Sequence, residues 1–525
     1  MSAGWTAGGA SPSGATYGAL IKGAVEAFPD RIAFRGESAD ISYRTLGRRI
    51  SQLVQAFARM GLGKGDAIAV LSPNRPEYFM ATVALALSGI RYTPLHPLGS
   101  QDDHRRILVD AAITTLIADP PAFGARAEAL FAAVDGVSRL LGFGRLSCGE
   151  DLLGMADREV PSPLIDTASS DEVVAIAYTG GTTGVPKGVV LTHACVASAV
   201  KIAVEQWEWP REIVALLTTP ISHAAGGIIP PILLRGGTII LQPGFGAERL
   251  LRTVADERVS VLFLVPTMIY LLLDRLAVDA CDTSSLELVI YGAAPMAPGR
   301  LAEALERLGP AFMQVYGQVE ASATICALMR RDHLDPTLLT SCGRPLAGHE
   351  LALLGVDGAE VGPGEAGEIC LRGPTLMLGY LNKPDETAEA FRGGWLHTGD
   401  IARKDERGYL HIVDRAKDMI ISGGFNVYPR EIEDVLAGHE GVELAAVIGV
   451  PDAKWGEAVE AFVVARPGAD LDASELIDFV RRRKGAVHAP KRVTLMDALP
   501  LTPIGKIDKK AVRTAFWANR ERQVS

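Results

Sequence analysis

From about residue 30 onward, short apolar β-rich runs alternate with segments of helical periodicity, and that rhythm restricts the fold to α/β layers. DAIAVLSPN (66–74) predicts a strand, EYFMATVALALSG (77–89) a helix, TTLIAD (114–119) a strand and FGARAEALFAAV (123–134) a helix. The pattern resumes with strands expected in VVAIAYTG (173–180), TIILQPG (238–244), VSVLFLVPT (259–267) and LELVIYGAA (286–294). Strands this uniformly apolar are covered on both faces, as in parallel sheets. Past residue 345 the texture changes. GHELALLGVDGAEVGPGEAGEICLRGP is rich in turns and alternation, which predicts a β-meander or small barrel. From about residue 417, EIEDVLAGH and ASELIDFVRRRK predict helices, and ELAAVIGV and AVEAFVVA predict strands. Together they suffice for a compact α+β domain of roughly a hundred residues. The expected division is therefore a loose arm over 1–20, a large domain of layered α/β subdomains plus a small β-barrel over 21–416, and a small α+β domain over 417–525.

A chain of 525 residues exceeds one ordinary domain, in keeping with that division. Its 52 Lys and Arg against 62 Asp and Glu leave a net charge of −10. Such a balance gives no global attraction for nucleic acid or anionic lipid, so a polyanionic ligand must meet a local cluster of donors and cations. Cys148, Cys195, Cys281, Cys326, Cys342 and Cys370 are scattered without a C-x-x-C pair, which argues against a disulfide framework or zinc site and fits a reducing compartment. The start, MSAGWTAGGASPSGA, lacks the basic and apolar regions of a signal peptide. No apolar run reaches membrane-spanning length. The expectation is a soluble cytoplasmic enzyme, with a homodimer left open.

The strongest chemical signal is YTGGTTGVPKG, Tyr178 to Gly188, where an apolar strand runs into glycines, hydroxyls and a lysine. Glycines let backbone N–H groups close on phosphate oxygens, threonines add donors and Lys187 adds charge. The loop is not a Walker A motif, because its lysine follows a proline instead of a Gly-Lys-[Ser/Thr] ending. A G-x-G-x-x-G match at Gly362–Gly367 opens no helix and contains a proline, so it is expected to be a hairpin turn and not a dinucleotide fingerprint.

With this loop as its first motif, the sequence resembles the adenylate-forming superfamily of acyl-CoA and aryl-CoA synthetases, peptide-synthetase adenylation domains and firefly luciferase. Further motifs follow in order: PISHAAGG (220–227), YGAAP (291–295), VYGQVEA (315–321), WLHTGD (395–400), VDRAKDMIISGGFNVYPREIE (413–433) and LPLTPIGKIDKK (499–510). The resemblance implies ATP, Mg²⁺ and coenzyme A as co-substrates and cofactor, and a small-molecule carboxylic acid as partner. It implies an ATP/AMP site from Thr179, Gly180, Gly181, Thr182, Thr183, Gly184, Lys187, Gly292, Ala293, Ala294, Pro295, Tyr316, Gly317, Gln318, Val319, Asp400, Ile412 and Arg415. Asp400 would accept from both ribose hydroxyls, and Arg415 would donate to the same sugar. The acyl group would lie against His223, Ala224, Ala225, Gly226, Tyr291, Gly292, Val315 and Gly317. The implied catalytic set is Lys506, His223, Thr183 and Glu320, with Glu320 also the Mg²⁺ ligand. Lys417 takes the hinge position about which the small domain would rotate, and Ser422, Gly423, Gly424 and Trp455 would meet coenzyme A. The chemistry asks for such a set, since two anions must be held in line while charge builds up between them.

Two departures from the family pattern stand out. Val319 replaces a Thr or Ser beside Glu320, and His488-Ala489-Pro490-Lys491 replaces a more basic pattern. In relatives that read hydroxycinnamates an aromatic residue often stands two positions after the acyl-site His; here it is Ala225, which predicts a roomy apolar cleft unless Ile228, Ile229 or Tyr291 fills it. The expected activity is ATP-dependent acid–CoA ligation through an acyl-AMP, on an arylalkanoic, cinnamic-type, medium-chain or branched acid. Loading of a carrier protein is the alternative. A luciferase-like oxidation or a catalytically weak binding role is a third reading, disfavoured by the full motif set.

Overall fold

The computed structural model describes residues 14–36, 39–179, 186–277, 281–322, 324–415, 418–422, 425–452, 455–501 and 507–517. Two large sheets are built as the alternation predicts. One has nine strands, with Leu288–Gly292, Val261–Leu264 and Val214–Leu217 at its centre. Parallel registers run through it, Leu216 beside Leu262, Leu262 beside Val289 and Ile290 beside Met313. The other has eight strands, including Ala67–Leu71, Thr115–Ala118 and Val173–Thr179.

Between the sheets lies the main core. Ile68 and Val70 of one sheet and Ala215, Leu217 and Ile239 of the other share it. The helix Pro76–Leu87 runs through this layer and is buried without interruption from Tyr78 to Leu87. A helix apolar all round has no face to give to water, which is why EYFMATVALAL carries almost no polar residue. The opposite face of the nine-stranded sheet is covered by Ala247–Glu257, Pro266–Leu276 and Pro298–Leu308 around a second core with Leu264, Tyr291 and Phe312.

Beyond residue 345, the expected β-meander is a four-stranded antiparallel sheet of Glu350–Leu354, Ala366–Arg372, Leu396–Lys404 and Leu410–Arg415. The Gly362–Gly367 segment is a turn leading into its second strand, with Gly364 at φ +79°, not a nucleotide loop. The last sheet pairs Val442–Asp452 with Gly456–Ala465 and adds Arg492–Leu495 in parallel. Helices Pro429–Ala437 and Ala473–Lys484 close a separate core around Ile432, Leu436, Val447, Val459 and Leu476. Among the described residues no helix is long and apolar enough to cross a membrane.

Candidate active site

The C-terminal ends of parallel strands, where α/β sheets present ligands, carry four of the predicted segments here: Thr179, Gly292–Pro295, Gly317–Glu320 and the stretch leading to His223. The phosphate loop itself, Gly180 to Gly184 with Thr182 and Thr183, lies outside the described residues. So do Lys417, Gly423, Gly424 and Lys506. What flanks the loop is defined: Thr179 pairs with Lys187 and Tyr178 with Gly188 across an antiparallel ladder, and the Tyr178 hydroxyl donates to Asp110 Oδ2 at 2.5 Å.

Two donors converge on one carboxylate. Asp400 is buried, accepts the Tyr316 hydroxyl at 2.8 Å and takes Arg415 Nε at 3.1 Å. Asp400 and Arg415 face one another across adjacent strands, so the pairing register delivers both to the same place. Burial, and then the charge of Asp400, push the Tyr316 hydroxyl well above the ordinary tyrosine range, which keeps it a donor. Ile412 lines the apolar cluster beside them. The cluster offers a charged acceptor held by two donors.

Nearby, Glu320 accepts the Tyr380 hydroxyl through Oε1 at 3.0 Å, and its carbonyl takes the Met377 N–H at 2.8 Å. Lys187 Nζ lies 4.9 Å over the Tyr380 ring and pairs with Glu386. Tyr380 therefore joins the predicted metal ligand to the loop lysine. A carboxylate fixed by one hydroxyl keeps hard oxygen donor capacity, which suits Mg²⁺. Val319 packs on the apolar cluster with Ile325, Leu371 and Met377. Neither Tyr380 nor Asp110 is foreseen by the motif reading.

At the YGAAP turn, a Cβ on Gly292 would lie 2.3 Å from the Val315 carbonyl, and Ala293 sits at φ +64°. Val315 is partly buried against the core between the sheets, and the exposed Gly317 follows the strand. Tyr291 corrects the sequence reading. Its ring points into the core on the other face of the sheet, fully buried against Phe312, with its hydroxyl on His333 Nε2 at 3.0 Å. Its side chain is therefore committed to that core, against the acyl contact that the resemblance implies for it.

His223 sits where Asn74 holds the two large sheets together. Asn74 Nδ2 donates to the Thr219 and Gln242 carbonyls, both at 2.9 Å, and Oδ1 accepts the Ile221 N–H at 2.8 Å. His223 is an exposed residue, but protein packs around its ring: Ser222 Oγ lies 3.1 Å from Nδ1 and the His96 ring 4.3 Å away, edge on. This enclosure, with His96, pushes its pKa down to about 3. A neutral imidazole can donate one N–H to a carboxylate without adding charge. Gly226 is required by the turn, since a Cβ there would lie 2.1 Å from the Ile221 carbonyl. Ala225 is 1% exposed and shares the core with Ile221, Ile228 and Ile229, which fits the alternative in which these neighbours fill the space beside it; His223, Ala224 and Gly227 are the exposed positions. In the last sheet, Ser422 is buried, whereas Trp455 is a surface residue at 38% exposure with Lys491 Nζ 5.2 Å over its ring.

A fold of two large α/β sheets, an antiparallel sheet and a small terminal α+β unit, with acidic, tyrosine and lysine groups at the strand ends, defines an adenylate-forming enzyme. Residues 21–381 match the AMP-binding enzyme family and residues 431–506 the AMP-binding enzyme C-terminal domain, and the chain belongs to this family. It is 46% identical over 522 residues to the medium/long-chain-fatty-acid–CoA ligase FadD8 of Mycobacterium tuberculosis, covering 97% of this chain and 91% of that protein. To the feruloyl-CoA synthase of an Amycolatopsis species it is 39% identical over 493 residues, 93% of this chain and 96% of that one. The solved amide bond synthetase McbA of Marinactinospora thermotolerans superposes with a TM-score of 0.88 at 34% identity, covering 95% of this chain and 99% of that one. The protein is an AMP-forming acid–thiol ligase that uses ATP, Mg²⁺ and coenzyme A.

Proposed function

We propose that the protein couples an arylalkanoic, cinnamic-type, medium-chain or branched carboxylic acid to coenzyme A, in the cytoplasm, through residues of a large domain over 21–416 and a small one over 417–525. The observation that carries the site assignment is the Tyr316–Asp400–Arg415 cluster beside Glu320 and Lys187. Asp400 accepts from the ribose hydroxyls while Arg415 and Tyr316 hold it in place. The acid lies along the segment of His223, whose neutral ring orients the carboxylate. A carboxylate oxygen attacks the α-phosphorus of ATP, the bond to pyrophosphate breaks, and the acyl-AMP forms. Lys187 and the loop of Thr182 and Thr183 neutralise the departing charge, and Lys506 bridges acid and α-phosphate. Mg²⁺ held by Glu320 would screen the phosphate oxygens. The thiol of coenzyme A, led in past Ser422, Gly423 and Gly424 with its nucleotide near Trp455, then attacks the acyl carbon and AMP leaves.

Apolar contact contributes ~0.8 kcal/mol per buried methylene, so acids that bury longer or larger apolar groups are expected to bind better than acetate. The test is pyrophosphate and AMP release across a panel of acids with and without free coenzyme A. Acyl-CoA formation favouring bulky acids supports the reading. Turnover only with an added carrier protein would transfer the activity to carrier loading, and preference for acetate would remove the substrate class.

A further inference from the structure

Asp400 stands on an irregular stretch of sheet. Between Ala366–Arg372 and Leu396–Lys404, Glu368 pairs with Ile401 and Cys370 with His397. Two steps on one strand thus span four on the other, and Thr398–Gly399–Asp400 bulges out of the ladder. A bulge leaves backbone groups without ladder partners and re-aims the side chains it carries. Gly399 sits at φ +75°, the left-handed region that favours glycine.

One side chain closes this bulge from behind. Glu368 Oε1 accepts the Gly399 N–H at 2.8 Å, and Oε2 takes His397 Nδ1 at 2.7 Å and Arg392 Nη2 at 2.6 Å. His397 Nε2 lies 3.2 Å from the Arg392 carbonyl, so both ring nitrogens are engaged and the ring cannot turn. Thr398 Oγ1 donates to the Ile369 carbonyl at 2.8 Å and accepts the Asp400 N–H at 3.1 Å. The Glu368 and His397 side chains are only 13% and 8% exposed. Glu368, Cys370 and His397 have the ligand types of a metal site, their ligand atoms all lying within 4.8 Å of one another. The Arg392 guanidinium already occupies the carboxylate, however, which makes the group a hydrogen-bonded clamp.

We propose that Glu368 and His397 are positioning residues that fix the Thr398–Asp400 bulge from behind, so that discrimination for a ribonucleotide depends on two side chains that touch neither substrate. The proposal rests on the assignment of Asp400 to the ribose. Loss of the His397–Glu368 hydrogen bond frees the carboxylate to leave Gly399, and Asp400 then samples orientations in which it meets one hydroxyl or none. A hydrogen bond to a charged group is the size of effect that changes binding by about tenfold.

The experiment compares kcat/KM for ATP and 3′-deoxy-ATP by pyrophosphate release in the parent, Asp400→Ala, His397→Leu, His397→Asn and Glu368→Gln, with thermal unfolding of each. The expected result is that His397→Leu raises KM for ATP by about tenfold with kcat and the KM for the acid little changed. The ATP to 3′-deoxy-ATP ratio should fall toward that of Asp400→Ala. His397→Asn, whose amide can replace Nδ1 as donor to Glu368, should restore the ratio. Should His397→Leu fail to fold, Glu368→Gln serves as the second variant, with the same fall expected. If Asp400→Ala abolishes discrimination while His397→Leu and Glu368→Gln keep it, the clamp is structural only and the proposal fails. If Asp400→Ala itself keeps full discrimination, the ribose assignment fails, and the clamp proposal with it.

Discussion

Val319 and His223 show how far single side chains carry the chemistry. Valine has the shape of threonine without its hydroxyl, and here it rests on the apolar cluster around Ile325 and Met377. A hydroxyl beside Glu320 could reach phosphate oxygen while its methyl keeps that packing. A bond to a charged group contributes about 1.5–3 kcal/mol. Val319→Thr is therefore expected to raise the rate of pyrophosphate release at saturating acid; an unchanged or lower rate would mean that the pocket has adapted to valine. His223 gives a pH prediction. Its folded pKa of about 3 lies below the ordinary 6.5, so the folded protein binds fewer protons than the unfolded chain between those values. The stability it contributes is fully present above 6.5 and is lost as pH falls toward 3. Replacing His223 by Asn should flatten the decline of Tm on acidification from pH 6.5. The ring's carbon-bound proton in an NMR titration should show no midpoint near 6.5; a midpoint there would contradict the enclosed neutral ring.

Elements explain why some of the site could be read in the sequence and some could not. Strands such as Ala67–Leu71 and Leu288–Gly292 are apolar because helices and the other sheet cover both faces, so their residues announce them. Asp400 and Arg415 lie in recognisable motifs and meet because their strands are neighbours. Tyr380 carries no such signal. It reaches Glu320 only because Gly379–Tyr380 pairs at the edge with Lys187–Thr192, a long-range contact that local pattern does not encode. Asn74 and Glu368 likewise act through contacts between distant segments, and His397, although inside WLHTGD, takes its role only from pairing with Glu368 on the neighbouring strand. Ala225 is ambiguous in a different way: small size reads as open space, but a small residue also permits close packing, and Ile228 and Ile229, two of the residues named as able to fill that space, share its core. Ala225→Phe is thus expected to overpack that core, at a cost of about 1–3 kcal/mol, and to lower Tm as well as altering the acid profile. Gly226→Ala should do the same through the backbone, given the 2.1 Å approach to the Ile221 carbonyl, with a raised KM for the acid and a smaller change in KM for ATP. A changed size profile with unaltered Tm in Ala225→Phe would return that residue to the cleft wall.

At the scale of the whole molecule, one site must serve two reactions whose requirements conflict. Adenylation needs a cation between acid and α-phosphate, whereas thioester formation needs a path for a long thiol to the same carbon. The terminal unit begins where the strand Leu410–Arg415 ends and already touches the four-stranded sheet: the Arg430 N–H donates to Asp414 Oδ2 at 2.9 Å, and Arg403 lies 3.8 Å from Glu431. Inside that unit, Lys509 pairs with Glu433 at 2.7 Å and Arg513 with Asp418 at 3.2 Å. These contacts tie the helix Lys509–Trp517 to the segment that follows the hinge position, so rotation at Lys417 would carry the unit, and with it Lys506, as one body. Lys506 would then be present for the first reaction and absent from the second, the kind of gating that moving domains provide. Lys506→Ala is expected to lower acyl-AMP formation on the order of 10²–10³, the usual cost of removing one transition-state partner. The same variant, given preformed acyl-AMP and coenzyme A, should form acyl-CoA at close to the parent rate. Both rates are measurable in single-turnover experiments on one preparation, so a folding defect would show as a loss in both. If both half-reactions fall together in a variant whose Tm matches the parent, Lys506 serves both steps and the two-orientation account fails.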